Sequence, residues 1–278
     1  MAGKTLVLGG YGLSGTAWQI GLLKGFLDRG LDLTRADVIL ATSSGALTAA
    51  LITSGRSIDE LYAEQMTIPP DAVREPFGIA SMSRTVWYGF TPGDDRAKRI
   101  AIARAAVRSR RGSDVLVGHW SGLPDAWPDR DIRVTAVRAD TGELRVFTRR
   151  DQVPLATAVA ASGALPFVRR PVEVDGVWYV DGSIRSMTNA DLATGASHVV
   201  VLAPVRNSRG RGHGIAIQLR GLGPEVGAAA VAPDRRTLRT VGERHFDPRR
   251  CPRAARAGYL QAPRMLSGVV QAWRGGRA

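Results

Sequence analysis

Thr5-Leu6-Val7-Leu8-Gly9-Gly10-Tyr11-Gly12-Leu13-Ser14-Gly15 decides the fold, because it joins an apolar strand to a helix through a glycine-rich loop. Leu6 to Leu8 is a short apolar run of the kind buried in a sheet. Trp18, Leu22 and Phe26, with Leu23 and Leu27, then share one helical stripe that stops at Gly30. The loop therefore ends at a helix N-terminus, where backbone N–H groups and the positive end of the helix dipole favour negative charge. Glycines there allow unusual φ values and close approach of a ligand. A pyrophosphate and a tetrahedral oxyanion both suit such a loop.

Gly10-Tyr11-Gly12-Leu13-Ser14-Gly15 also spells GxGxxG, the dinucleotide fingerprint. That reading needs an acidic residue about 20 positions on, at the end of the second strand, to hold a ribose hydroxyl. The second strand, Val38-Ile39-Leu40, ends instead in Ala41-Thr42-Ser43-Ser44-Gly45, and Asp37 stands at its other end. The dinucleotide reading therefore lacks its second half.

What the second strand does end in is a serine ahead of an apolar helix, Ala46 to Ile52, closed by Gly55. This suits a nucleophile elbow, where a tight strand–turn–helix holds a serine hydroxyl clear of its neighbours. In the G-x-S-x-G pattern Ala41 stands for the first glycine and Gly45 is the second, so Ser43 fits better than Ser44. The alternative is that both serines merely cap the helix. The glycine loop adds weight to the elbow, because acyl transfer needs donors aimed at the developing oxyanion.

A serine hydroxyl needs a base. The four histidines, His119, His198, His213 and His245, occupy no sequence context that marks a catalytic partner. An ordinary α/β-hydrolase using a late histidine such as His245 would place several strands before its elbow, whereas one precedes Ser43. The better candidate is Asp181. Val172 to Val180 reads as a β-hairpin turning at Asp175-Gly176, and its second strand runs straight into Asp181-Gly182-Ser183. By itself an Asp-Gly at a strand end is also a common turn former.

Taken together these residues resemble the patatin-like phospholipases. Leu8 to Trp18 resembles their oxyanion loop, Ala41 to Gly45 their serine elbow, and Asp181-Gly182 their aspartate motif. Pro154-Leu155, Ala158 to Ser162, Leu165-Pro166 and Asn189 to Ala193 follow the family in order and spacing. The resemblance spans roughly residues 4 to 205. It implies an α/β fold of three layers, with a central mixed, mostly parallel sheet between helices. It implies Ser43 as nucleophile, Asp181 as base of a Ser-Asp dyad, and the amides of Gly10, Tyr11 and Gly12 as oxyanion hole. The implied reaction is acyl-ester hydrolysis on a lipid through an acyl-serine, with no metal and no organic cofactor. The chain departs from the family at four positions: Tyr11 replaces a third glycine, Ser14 an Arg or Lys, Ala41 a glycine, and Ser183 a glycine or alanine. Asp181, with an ordinary pKa of about 3.9, is a weaker base than a histidine, and burial beside Ser43 would raise its basicity.

The chain has 278 residues, 44% of them hydrophobic, enough for one large α/β domain. Its single cysteine, Cys251, excludes an internal disulfide. Apolar runs fall short of the roughly 18 residues of a membrane span, and the first strand begins too early for a signal peptide. We expect a cytoplasmic protein, or one peripheral to a membrane.

Strands are expected near 5–8, 37–42, 132–137, 144–148, 177–180 and 198–203, alternating with helices. Pro69 to Gly93, with Trp87, Tyr88 and Phe90, reads as a loop-rich excursion whose aromatics either pack or line an acyl pocket. Thr91 to Arg111 reads as a helix, and Arg209 to Gly214 as a mobile loop. The net charge of +13 is concentrated late: residues 206–278 hold 15 arginines and 4 acids, a net of +11. We therefore divide the chain into a catalytic domain, 1–205, and a basic arginine-rich extension, 206–278, packing on the same domain. Clustered arginines suit an anionic membrane surface. Nucleic acid is not expected, because aromatics are sparse there.

Overall fold

The computed structural model describes residues 3–67, 94–109, 123–205, 214–241 and 246–275. Its strands are β1 (Lys4–Leu8), β2 (Val38–Thr42), β3 (Asp131–Arg138), β4 (Leu144–Phe147), β5 (Val172–Val174), β6 (Val177–Asp181), β7 (His198–Leu202) and β8 (Gly227–Val231). They form one mixed sheet in the order β5-β6-β3-β2-β1-β7-β8, with β4 pairing with β3. The pairs from β3 through β2, β1 and β7 to β8 are parallel; β3–β4, β3–β6 and β5–β6 are antiparallel. Near-continuous apolar runs such as Leu6-Val7-Leu8 and Val199-Val200-Val201 are what a sheet covered on both faces requires.

The described helices are α1 (Gly12–Leu27), α2 (Ser44–Ile52), α3 (Ile58–Met66), α4 (Asp95–Ser109), α5 (Leu155–Ser162), α6 (Ile215–Arg220), α7 (Arg235–Val241) and α8 (Cys251–Arg274). Leu6, Leu8, Ile39 and Val134 look to one face, where they meet α1, α2, α5 and α8. Val7, Leu40, Val199 and Val201 look to the other, against Ile215 of α6, and Val137 and Val180 meet α4 there. The result is the three-layer α/β architecture expected.

Two differences from the sequence expectation have physical causes. First, α1 is buried all round rather than along one stripe, because α8 crosses it at backbone contact. A Cβ on Gly21 would lie 2.0 Å from the Ala255 carbonyl oxygen, and one on Gly258 would lie 2.2 Å from that of Trp18. Second, Gly227-Ala228-Ala229-Ala230-Val231 is a strand although alanine has little strand preference. It is defined by its pairing with β7 and extends the sheet from beyond residue 205.

The expected helix at 91–111 is described over Asp95–Ser109. The excursion at 69–93 and nearly all of the loop at 209–214 lie outside the described residues. No helix among the described residues is long and apolar enough to cross a membrane.

Candidate active site

β2 delivers Ser43 to a turn with φ 55° and ψ −124°, after which α2 begins. A non-glycine residue there is strained, at a cost of order 1–3 kcal/mol, and persists where its surroundings hold it. Three contacts do so. The Ser43 amide donates to Ser162 Oγ at 2.7 Å, its carbonyl accepts from the Ala46 amide at 2.8 Å, and its hydroxyl donates to Asp181 Oδ2 at 2.7 Å. Gly45 is required because a Cβ at that position would stand 2.1 Å from the Leu8 carbonyl oxygen.

Asp181 ends β6 and is almost wholly buried, at 1% exposure. Its backbone amide donates to the Ala164 carbonyl at 3.0 Å, and its Oδ1 accepts from the Ser183 amide at 2.7 Å. Burial pushes its carboxyl up to about 6, against the opposing pull of the Ser183 amide, the Ser43 hydroxyl and the charge of Arg169. The carboxylate is thus ionised at neutral pH yet a better base than a solvated aspartate. Ser183 meets this carboxylate through its side chain as well as its backbone amide, and both contacts favour the ionised form.

The glycine loop lies against the elbow. A Cβ on Gly10 would sit 2.6 Å from Ser43 Cβ, so no larger residue fits. Two of its amides already have acceptors: Gly10 N–H donates to the Met187 carbonyl at 2.9 Å and Tyr11 N–H to Ser44 Oγ at 2.8 Å. The amide of Gly12, the first helical residue of α1, has no partner among the described residues. The same holds for the Ser44 amide at the start of α2. The Gly10 and Tyr11 donors face neighbouring segments because the loop is strapped to the chain on either side. Tyr11 itself adopts an extended φ of −173°, and the left-handed turn falls on Gly12 at φ 60°. A side chain at position 11 costs the loop no strain.

Position 14 is a buried serine whose hydroxyl has no hydrogen-bond partner among the described residues. A positive charge does act on the site from elsewhere: Arg169, 3% exposed, follows α5 on the turn whose Ala164 carbonyl holds Asp181. Ser162 and Arg169 were not recognisable as site residues in the sequence, because their roles come from contacts across the fold. His198 lies in β7 beside Lys4, at the opposite end of the strands from Ser43, and its Nδ1 bonds with the Ala272 carbonyl at 2.8 Å. His119, His213 and His245 lie outside the described residues, as do the aromatics of 69–93. Cys251 is buried and its thiol is pushed up to about 12, so it is no nucleophile. Among the described residues no group of three metal-ligating side chains occurs.

Solved structures with a similar course of chain include VipD from Legionella pneumophila, at 13% identity and TM-score 0.49, covering 96% of this chain and 67% of that one. The type III effector ExoU is similar at 14% identity and TM-score 0.42, covering 96% and 53%. Full-length ExoU from Pseudomonas aeruginosa, in complex with SpcU, gives 18% and 0.37, covering 98% and 59%. The chain thus spans between about half and two thirds of these proteins. No curated protein matches it by sequence. The family model of the patatin-like phospholipases matches residues 6–194, which takes in the glycine loop, the serine elbow and the aspartate turn, and the chain belongs to that family.

Proposed function

We propose that the protein is a lipid acyl hydrolase of the phospholipase A or esterase type, working through a Ser43–Asp181 dyad. Family membership supports lipid hydrolysis in general. The observation that carries the finer reading is the 2.7 Å hydrogen bond from Ser43 Oγ to a buried Asp181 carboxylate of raised basicity.

In this reading Ser43 Oγ attacks the ester carbonyl carbon while its proton passes to Asp181. The tetrahedral intermediate collapses, and the departing alcohol takes the proton from Asp181. A water molecule then gives its proton to Asp181 and attacks the acyl-serine, and the second tetrahedral intermediate collapses to release the fatty acid as Asp181 returns the proton to Ser43 Oγ. The oxyanion is received by the loop Gly10–Gly12. Gly12 supplies the donor without a present acceptor, at the positive end of α1. The amides of Gly10 and Tyr11 join by exchanging Met187 and Ser44 for substrate. No metal or organic cofactor enters these steps.

A fluorophosphonate probe tests the reading: it should label Ser43, and Ser43→Ala and Asp181→Ala should each abolish short-chain ester hydrolysis. Normal turnover in Asp181→Ala would sink the dyad. Absent labelling with intact vesicle binding would favour an inactive family member that docks on anionic lipid.

We further propose that residues 206–278 form an extension packed on the catalytic domain and facing an anionic membrane. Support comes from α7, which follows the carboxyl end of β8, the same end of the sheet that carries Ser43, and exposes Arg235, Arg236, Leu238 and Arg239. Binding to anionic vesicles should weaken with added salt and with Arg235→Glu/Arg236→Glu/Arg239→Glu, while binding to neutral vesicles changes little. Salt-independent binding would remove this docking mode.

A further inference from the structure

In the sheet order Ser43 and Asp181 are not carried by adjacent strands. β3 lies between β2 and β6, with Thr135 opposite Thr42 and Ala136 opposite Asp181. Neighbouring strands stand about 4.8 Å apart, so no backbone ladder joins the two catalytic positions directly. Their separation depends on what spans β3 beside Thr135.

One side chain does so. Asn189, wholly buried, directs its Nδ2 into a ring of four oxygens: Ser186 O at 2.9 Å, Thr42 Oγ1 at 3.1 Å, Thr135 Oγ1 at 3.3 Å and Gly182 O at 3.4 Å. Thr42 precedes Ser43, and Gly182 follows Asp181. Thr42 and Thr135 also bond each other at 2.8 Å, and Gly182 passes so close to β3 that a Cβ there would meet Thr135 Oγ1 at 2.5 Å. The amide has two N–H groups, so the shorter contacts are the principal bonds and the longer ones share its protons.

The amide is itself held in orientation. Arg185 Nη1 donates to Asn189 Oδ1 at 2.6 Å, while the same guanidinium pairs with Asp191, and this leaves Nδ2 facing the oxygens. The Asn189 backbone sits at φ 49°, a left-handed conformation that asparagine tolerates better than most residues. Gln218 of α6 fastens the following residue by accepting from the Ala190 amide at 2.6 Å, and donates to Ser186 Oγ at 2.9 Å.

We propose that Asn189 is a positioning residue for hydrolysis, a latch across β3 at Thr135 that keeps Ser43 Oγ within hydrogen-bonding reach of Asp181. The inference rests on the dyad reading. It differs from a purely structural role in what it predicts. Loosening the latch separates nucleophile from base and admits water beside the buried Asp181 carboxylate. It leaves the substrate-binding surface alone.

The test is Asn189→Gly, which removes the amide and relieves the left-handed backbone, assayed in the full chain on a soluble short-chain ester across pH. We expect kcat to fall by about 10²-fold, the scale of a 1 Å misplacement, with KM within about twofold. The acid limb of the pH profile, near 6 in the parent, should move toward the ordinary carboxylate range. Thr42→Val, which keeps the branched shape and removes one oxygen of the ring, should shift kcat and the acid limb in the same direction and serves if Asn189→Gly does not fold. A parental kcat and acid limb in the folded variants overturns the latch. Ser43→Ala is run alongside: if it retains parental turnover, the dyad fails and the latch with it; if it is inactive while the latch variants are normal, the latch alone fails.

Discussion

The carboxyl end of the sheet and the crossing of α1 with α8 are packed on opposite principles. At the crossing, glycines bring two helix backbones together, with space for a Cβ on Gly21 or Gly258 closed off by carbonyl oxygens at 2.0 and 2.2 Å. At the sheet end, polar side chains are buried, Ser43 is strained, and a carboxylate is held away from water. Close apolar packing favours the folded state, whereas a desolvated carboxylate and a left-handed serine oppose it. The difference teaches that close packing supports the fold at the crossing, while the sheet end carries the proposed dyad at a cost to stability, so substitutions should separate the two.

The largest expected effect is on turnover at the sheet end. Ser43→Ala and Asp181→Ala should each lower ester hydrolysis by at least about 10⁴-fold without lowering the melting temperature. A large loss of stability in either variant would break the comparison. At the crossing, Gly258→Leu should destabilise by about 3 kcal/mol or more, because backbone must move. The molecules still folded should keep parental kcat, as urea melts paired with active-site titration would show.

Asp181→Asn sharpens the contrast with the opposite sign. The carboxyl is raised from 3.8 to about 6 on folding, so between those values the native state holds the extra proton and stability falls as pH rises. The full cost, about 3 kcal/mol at most, is present above pH 6. Asp181→Asn should therefore be more stable than the parent at pH 7.5, and the gap should close below pH 4. A constant gap would mean that titration is not its source. The smallest effect concerns backbone strain: Ser43→Gly should exceed Ser43→Ala in stability by about 1 kcal/mol, because only glycine adopts φ 55° without penalty. Equal melting temperatures would show that the elbow is relaxed.

Much of this was legible in the chain. Apolar runs mark the central strands, and the glycine loop, the Ser43 turn and the Asp175-Gly176 hairpin are local features with local causes. β8 was not legible, since an alanine run becomes a strand only beside β7. Nor was the engagement of the Gly10 and Tyr11 amides, which depends on Met187 and Ser44 arriving from other parts of the chain. Asn189 stood in a motif that resembled the family, but no spacing rule indicated that its amide would meet Thr42, Thr135 and Gly182.

The sequence by itself marked the strand–loop–helix units, because periodicity and turn chemistry act over a few residues, and its resemblance to the patatin-like phospholipases pointed to the fold family and to Ser43 and Asp181 as a candidate pair. Only the tertiary structure decided how basic Asp181 is, which amides remain open and what spans β3. Burial, electrostatic shielding and hydrogen-bond partnership are set by residues distant in the chain that the sheet brings to one end.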